Sequence, residues 1–139
     1  MNFSLSEELI EMKRSIRDFI DHTVDPLAQQ IEEDDEIPEK LMSMSKEMGL
    51  FGLSIPEEYG GIGIDMVGKC ALYEEIGRTS NGYTTVIGAH TGIGSVGIVE
   101  MGTDEQKKRY LPDMARGNRI GAFALTEPSA GSNAAALKT

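Results

Sequence analysis

One cysteine, two histidines and no tryptophan leave this chain of 139 residues few side chains for metal or disulfide chemistry. Cys70 stands alone, so an intrachain disulfide and a cysteine-based zinc site are both excluded. His22 and His90 lie far apart and form no His-x-x-x-His pair, so no metal site is expected. A surface imidazole and a core-lining one are the simplest expectation for them. Cations are scarce too: 13 Lys and Arg face 23 Asp and Glu, a net charge of −10. Residues 1–102 hold seven of those cations and nineteen of the acids. A front this acidic repels phosphate backbones, which argues against nucleic acid as a partner. No apolar run approaches the roughly 20 residues that cross a membrane. The early acids Glu7, Glu8, Glu11 and Asp18 argue against a signal or transit peptide, so a cytoplasmic location is expected.

What is present suits one globular unit with 40% hydrophobic residues, and most of it reads as helix. Ser4-Leu5-Ser6-Glu7 has the pattern of a capping box. Leu9, Met12, Ile16, Phe19 and Ile20 then come at the spacing of one helical stripe. Pro26 suits the first turn of a second helix carrying Leu27 and Ile31, which ends in the acidic run 32–36. Pro38 opens a third, with Leu41, Met44 and Met48 inward and Gly49 as its stop. Residues 50–65 break the periodicity as a loop with a hydrophobic anchor. A fourth helix over about 66–77 places Cys70, Leu72, Tyr73 and Ile76 on its apolar side, with Cys70 as a small core residue. Thr103-Asp104-Glu105-Gln106 is a second capping box, opening a short helix that Pro112 is expected to cut. Ile120 to Leu125 reads as a short strand.

Gly92-Ile93-Gly94-Ser95-Val96-Gly97 matches the dinucleotide fingerprint G-x-G-x-x-G. That fingerprint needs a strand, a tight turn and a full helix, with an acid about 20 residues on. Only four residues separate Gly97 from Gly102, and the position where the acid belongs is Gly117. The better reading is one helix over about 82–101, with Gly88, Gly92, Ser95 and Val99 on one side. Each interior glycine costs about 1 kcal/mol relative to alanine. Close backbone packing, or room for a ligand, would offset that cost.

Phe123-Ala124-Leu125-Thr126-Glu127-Pro128-Ser129-Ala130-Gly131-Ser132 is the strongest motif. Backbone amides, three hydroxyls and a glycine in one loop suit the edge of a polar ring or a phosphate. An ordinary polar loop has the same composition. The residues also resemble the first signature of the acyl-CoA dehydrogenases, flavoenzymes that oxidise acyl-CoA thioesters. The likeness extends along the chain: LFGLSIPEEYGGIG (50–63) is similar to the family's loop after its third helix. Tyr73-Glu74-Glu75-Ile76-Gly77 resembles its fourth helix, and Gly102 to Lys107 with Tyr110-Leu111-Pro112 its sixth.

The resemblance implies a mainly α fold: an up-and-down bundle of about six helices over 1–117. Residues 118–139 would then carry the first strand and flavin-contacting loop of an incomplete β-barrel domain. It implies FAD as cofactor, acyl-CoA as substrate, an electron-transfer flavoprotein as acceptor and a homo-oligomeric enzyme. The backbones of Leu125 and Thr126 would bond the flavin ring, with the Thr126 hydroxyl near its N5/O4 edge. Phe123 would form part of the wall between flavin and thioester. Gly131 would let the loop approach phosphate, and Ser132 would bond both the FAD pyrophosphate and the substrate's pantetheine. His90, Thr91, Gly94 and Ser95 would line the acyl cavity. The catalytic glutamate belongs to the family's C-terminal helical domain, so no residue here is assigned as the base. Glu127 would hold the loop. Asn133 departs from the Asp usual in the family, keeping the turn-forming capacity without the charge. Two other classes stay open: an acidic helical interaction module, and a flavin oxidase or monooxygenase relative.

Overall fold

Helices dominate the computed structural model, which describes residues 4–139. α1 (Glu7–Phe19) is capped by Ser6, whose hydroxyl accepts the Leu9 amide at 3.2 Å. The cap expected at Ser4 therefore moves two residues on. That shift puts Glu7 and Glu8 at the first two helical positions, where the helix dipole favours negative charge. Ile16, Phe19 and Ile20 are buried, with Leu9 and Met12 packed against them, as the stripe requires. Pro26 lacks an amide hydrogen, and the chain passes it through a π turn (Ile20–Val24) and a 3-10 turn (Asp25–Leu27). Regular helix resumes in α2 (Ala28–Asp34) and ends at Asp35, which takes the left-handed conformation at φ 52°. α3 (Glu39–Glu47) sends Leu41 into the core and stops at Gly49, whose φ of 73° suits a residue without Cβ.

The loop over 50–65 is pinned by Leu50, Phe51, Leu53 and Ile55, all buried. α4 (Met66–Ile76) lies along α1 and contributes Leu72 and Ile76 to the core. Cys70 is exposed rather than buried with them. It precedes Leu72 by two residues, about 200° around the helix, which turns it away from the core face. α5 (Asn81–Ala89) and α6 (Val96–Met101) are two halves of the glycine-rich helix, separated by a π turn over His90–Gly94. Tyr83 to Ile87 are therefore helical, and the fingerprint glycines lie in the turn and α6 with no strand before them. α7 (Asp104–Ala115) opens with the expected capping box between Thr103 and Gln106. It runs three residues past Pro112, because Leu111, Met114 and Ala115 bury against Ile55 in a second, smaller core. Packing there outweighs one missing ladder bond.

Residues 120–125 form no ladder; among the described residues the β structure is one isolated bridge, Glu127 to Ala130. The strand expected there has no mate to pair with. Among the described residues no helix is long and apolar enough to cross a membrane.

The join between α1 and α4 is electrostatic as well as apolar. Glu75 is 1% exposed, yet it keeps its charge. Arg17 donates to both of its oxygens, at 2.5 and 2.9 Å, while Lys13 stands at 3.4 Å and Arg78 at 3.3 Å. The Arg17 hydrogen bonds, opposed by desolvation and reinforced by Lys13, hold the carboxyl down at about 2. A depressed carboxylate pKa adds stability above its unfolded value, near 4.5, which is lost as pH falls toward 2. Replacing Glu75 with Gln is expected to cost about 1–2 kcal/mol near neutrality and to flatten this acid limb. Urea unfolding from pH 7 down to pH 3 measures both. An unchanged acid limb in E75Q would reject the assignment.

Candidate functional site

The break between α5 and α6 gives the molecule its concave face. Gly92 has ψ −106°, well off the helical value, so the ladder opens there. An apolar cavity of about 610 Å³ lies between this break, α4 and the strand-like segment after α7. Cys70 and Tyr73 line it from α4; Gly88, Thr91 and Gly92 line it from α5 and the turn. Val96 and Val99 continue the wall along α6, and Phe123 closes one side. A Cβ built on Gly92 or Gly97 meets nothing within 4 Å, so these glycines leave open volume at the wall.

The expected stripe Gly88, Gly92, Ser95, Val99 is correct on either side of the break and shifted at it. A π turn takes more residues per turn than an α-helix, which rotates every position after it. Val96 thus takes the wall position expected for Ser95, and Ser95 is fully buried elsewhere. Thr91 lies at the wall. Its hydroxyl donates to Ile87 O at 2.7 Å and so accepts from the Tyr73 hydroxyl. Burial pushes the Tyr73 phenol up to about 12, which keeps it a neutral donor.

His90 and Gly94 are not among the residues lining the cavity. The His90 ring is fully buried, edge-on to Phe51 with centroids 5.2 Å apart. Its Nε2 lies 3.1 Å from both Phe51 O and Met114 O, and its Nδ1 accepts the Gly121 amide at 2.9 Å. Two carbonyls and one N–H define a neutral ring with the proton on Nε2. Burial lowers its pKa, with the two carbonyl contacts opposing that fall. Gly94 backs directly onto Gly121, where a Cβ would stand 2.8 Å from the Gly121 carbonyl carbon and oxygen. His22, by contrast, is exposed and bonded to Asp18 O.

Beyond Gly121 the chain runs along the surface. Phe123 is 56% exposed even while it lines the cavity, and Leu125 is 44% exposed. Among the described residues, Leu125, Thr126, Gly131 and Ser132 are exposed and their backbone groups take no intramolecular partner. A Cβ on Gly131 would meet only the Thr126 methyl, at 3.9 Å, so open space stands over Thr126. The Glu127 carboxylate accepts the Lys138 and Thr139 amides at 3.1 and 3.0 Å, which closes the loop behind it. The Thr139 hydroxyl, first, and those amides hold its pKa below the usual range. Asn133 starts a 3-10 turn at Ala134–Ala136, its carbonyl accepting the Ala136 amide. Among the described residues no three His, Cys, Asp or Glu come together as a metal site.

Sequence reasoning overlooked Tyr73, Cys70 and Val96 as wall residues. The signal for Tyr73 and Cys70 was their place off the Leu72–Ile76 face of α4; for Val96 no signal preceded knowledge of the π turn.

Comparison with known proteins agrees with this architecture. The sequence model of the acyl-CoA dehydrogenase N-terminal domain matches residues 6–118. An acyl-CoA dehydrogenase of Bacillus subtilis is 38% identical over 135 residues, covering 97% of this chain and 36% of the relative. The crystal structure of an acyl-CoA dehydrogenase complexed with FAD from Bacillus anthracis superposes with TM-score 0.85 at 40% identity. That match covers 97% of this chain and 23% of the other. A structure described as the electron transferring flavoprotein of Acidaminococcus fermentans matches with TM-score 0.88 at 34% identity, over 98% of this chain and 36% of that one. The chain spans about a third of the length of curated relatives such as the Bacillus subtilis protein. With its family model matched over most of its length and its helices superposing on solved relatives, the chain belongs to the acyl-CoA dehydrogenase family, as its N-terminal domain.

Proposed function

We propose that this chain supplies the acyl cavity and one flavin-contacting loop of an FAD-dependent acyl-CoA dehydrogenase. The observation that carries the reading is a juxtaposition: Phe123 lines the apolar cavity, and the unpaired backbone of Leu125 and Thr126 comes within three residues of it. Residues 1–117 act as the helical domain, and 118–139 begin the next one. The residues present fit FAD on two counts. Free N–H and C=O groups at Leu125 and Thr126 suit the polar edge of a flat ring, and the space over Thr126 beside Gly131 admits it. Bound FAD would supply hydride acceptance; each remaining role belongs to the protein. The apolar wall binds an acyl chain and excludes water, Phe123 separates chain from ring, and Ser132 bonds pyrophosphate and pantetheine.

The base that removes the α-proton is not assigned to this chain. Glu127 is committed to the Lys138 and Thr139 amides, which suits a holding role. An electron-transfer flavoprotein is the redox partner this reading implies, and a structure described as such a protein holds a chain similar to this one. Desaturation to the α,β-enoyl thioester, with electrons passed on to such a partner, is the activity proposed for the intact enzyme.

Three outcomes test the reading. The 139-residue chain, purified with excess FAD, is expected to retain little flavin and to turn over no acyl-CoA. Tight stoichiometric flavin by absorbance would overturn that division of labour. Expressed in its intact reading frame, the protein is expected to bleach its flavin with an acyl-CoA panel under an artificial acceptor, and silence toward every thioester rejects the function. Gly97→Leu there fills open volume at the wall and is expected to lower kcat/KM for the longest acyl chains about tenfold, sparing short ones. An equal loss across the panel would mean that Gly97 does not face the acyl chain.

A further inference from the structure

Three elements that are distant in sequence end on one ring. Phe51 belongs to the larger core, Met114 to the smaller core, and Gly121 to the segment that leads into the exposed loop. Gly121 is two residues from Phe123 and five from Thr126. Its amide is the last backbone group before that loop to be fixed on the helices, since 122–126 make no backbone hydrogen bond. The contact is also sterically closed. A Cβ on Gly121 would stand 2.9 Å from the Met114 methyl and 3.0 Å from Gly94, so the chain is held against the π turn as well as bonded to it.

The π turn therefore has two sides. Thr91 and Gly92 face the cavity, while His90 and Gly94 grip the returning chain. We propose that His90 is a positioning residue: its Nε2-protonated ring, anchored on Phe51 O and Met114 O, fixes Gly121 and so sets the flavin-contacting loop in register with the acyl cavity. This rests on the reading of 123–132 as that loop. Because the ring acts through Gly121, it touches neither substrate nor cofactor. The role demands an acceptor at the Nδ1 position, and a side chain of matching bulk alone does not supply one.

The test needs no ligand. Amide hydrogen exchange and residual dipolar couplings are measured on the 139-residue chain as wild type, His90→Asn and His90→Leu. Asn places an acceptor near the Nδ1 position; Leu fills volume without one. The wild type is expected to show a ring with Nε2 protonated and Nδ1 bare by nitrogen NMR, and a protected Gly121 amide. His90→Leu is expected to speed Gly121 exchange at least about tenfold, the worth of one hydrogen bond, and to alter the couplings of 122–126. α7 protection should stay within a factor of about two, and His90→Asn should recover most of the Gly121 protection. Native exchange at Gly121 in His90→Leu overturns the proposal. So does a collapse of α7 in step with Gly121, which would make the ring a core filler, or failure of Asn to outperform Leu. Silence of the intact protein toward every acyl-CoA would count against the function instead and leave these exchange rates untouched.

Discussion

The hydrogen bonds of one buried imidazole hold the two cores of this domain and its exit segment together. His90 has no other use for its polarity: a fully buried ring must place both nitrogens, and three backbone groups are what it meets. Those groups need partners as much as the ring does, because a buried carbonyl or amide left alone costs about 1–3 kcal/mol. Phe51 O lies in a 3-10 turn, where helical carbonyls run out of amides, while Met114 O in the last turn of α7 also accepts the Gly117 amide at 2.9 Å. The junction thus resolves two local deficits, at Phe51 O and the Gly121 amide, with one side chain. Apolar packing then accumulates around it, with Phe51 edge-on to the ring and Met114 against Gly121.

The cavity is a consequence of that junction. An α-helix continued straight through residues 81–101 would have kept its ladder closed and its glycines costly. The π turn instead swings His90 inward and Gly92 outward, so the same five residues grip a chain on one side and open a wall on the other. On the far wall, α4 contributes Tyr73 and Cys70 from the side that its packing on α1 leaves free. That packing is fixed by Leu72, Ile76 and the Glu75 cluster, which orients α4 about its axis. Site and fold are therefore not separate: the ion cluster decides which residues of α4 the cavity receives.

Much of this was legible in the residues alone. The stripe from Leu9 to Ile20, the stop at Gly49 and the Thr103–Gln106 box depend on local spacing, and all are present in the structure. What escaped depended on partners far along the chain. Cap choice at Ser6 was a contest between two serines two residues apart, decided by where the acids then fell. Pro112 was overruled by burial of Leu111, Met114 and Ala115 against Ile55, 56 residues or more away in sequence. Cys70 was placed on the wrong side because an apolar residue beside a core face resembles a member of it. The π turn shifted Ser95 inward, since one inserted residue rotates everything downstream, and periodicity assumes that nothing is inserted. The motif at 123–132 was visible by resemblance, while its attachment through Gly121 was not, because a glycine amide bonded to a distant imidazole leaves no local trace.

The segment 120–125 shows the limit of local reading from the other direction. Its residues have the composition of a strand, and the structure leaves it extended with no ladder. A strand is a pairing, and the apolar content that suggests one also makes an unpaired edge unfavourable in water. Ile120, Phe123 and Leu125 remain substantially exposed, as do Met66 and Ile93, and Met66, Ile93 and Phe123 border the cavity. Apolar surface gathered around an apolar hollow calls for cover, and scattered single residues on a finished surface do not. Under the proposed reading that cover is a flat ring over the loop and an acyl chain in the hollow. Neither fits alone: the chain needs the ring to close its open side, and the ring needs the unpaired amides of Leu125 and Thr126. Under that same reading, holding Gly121 against the π turn would make the two sites one.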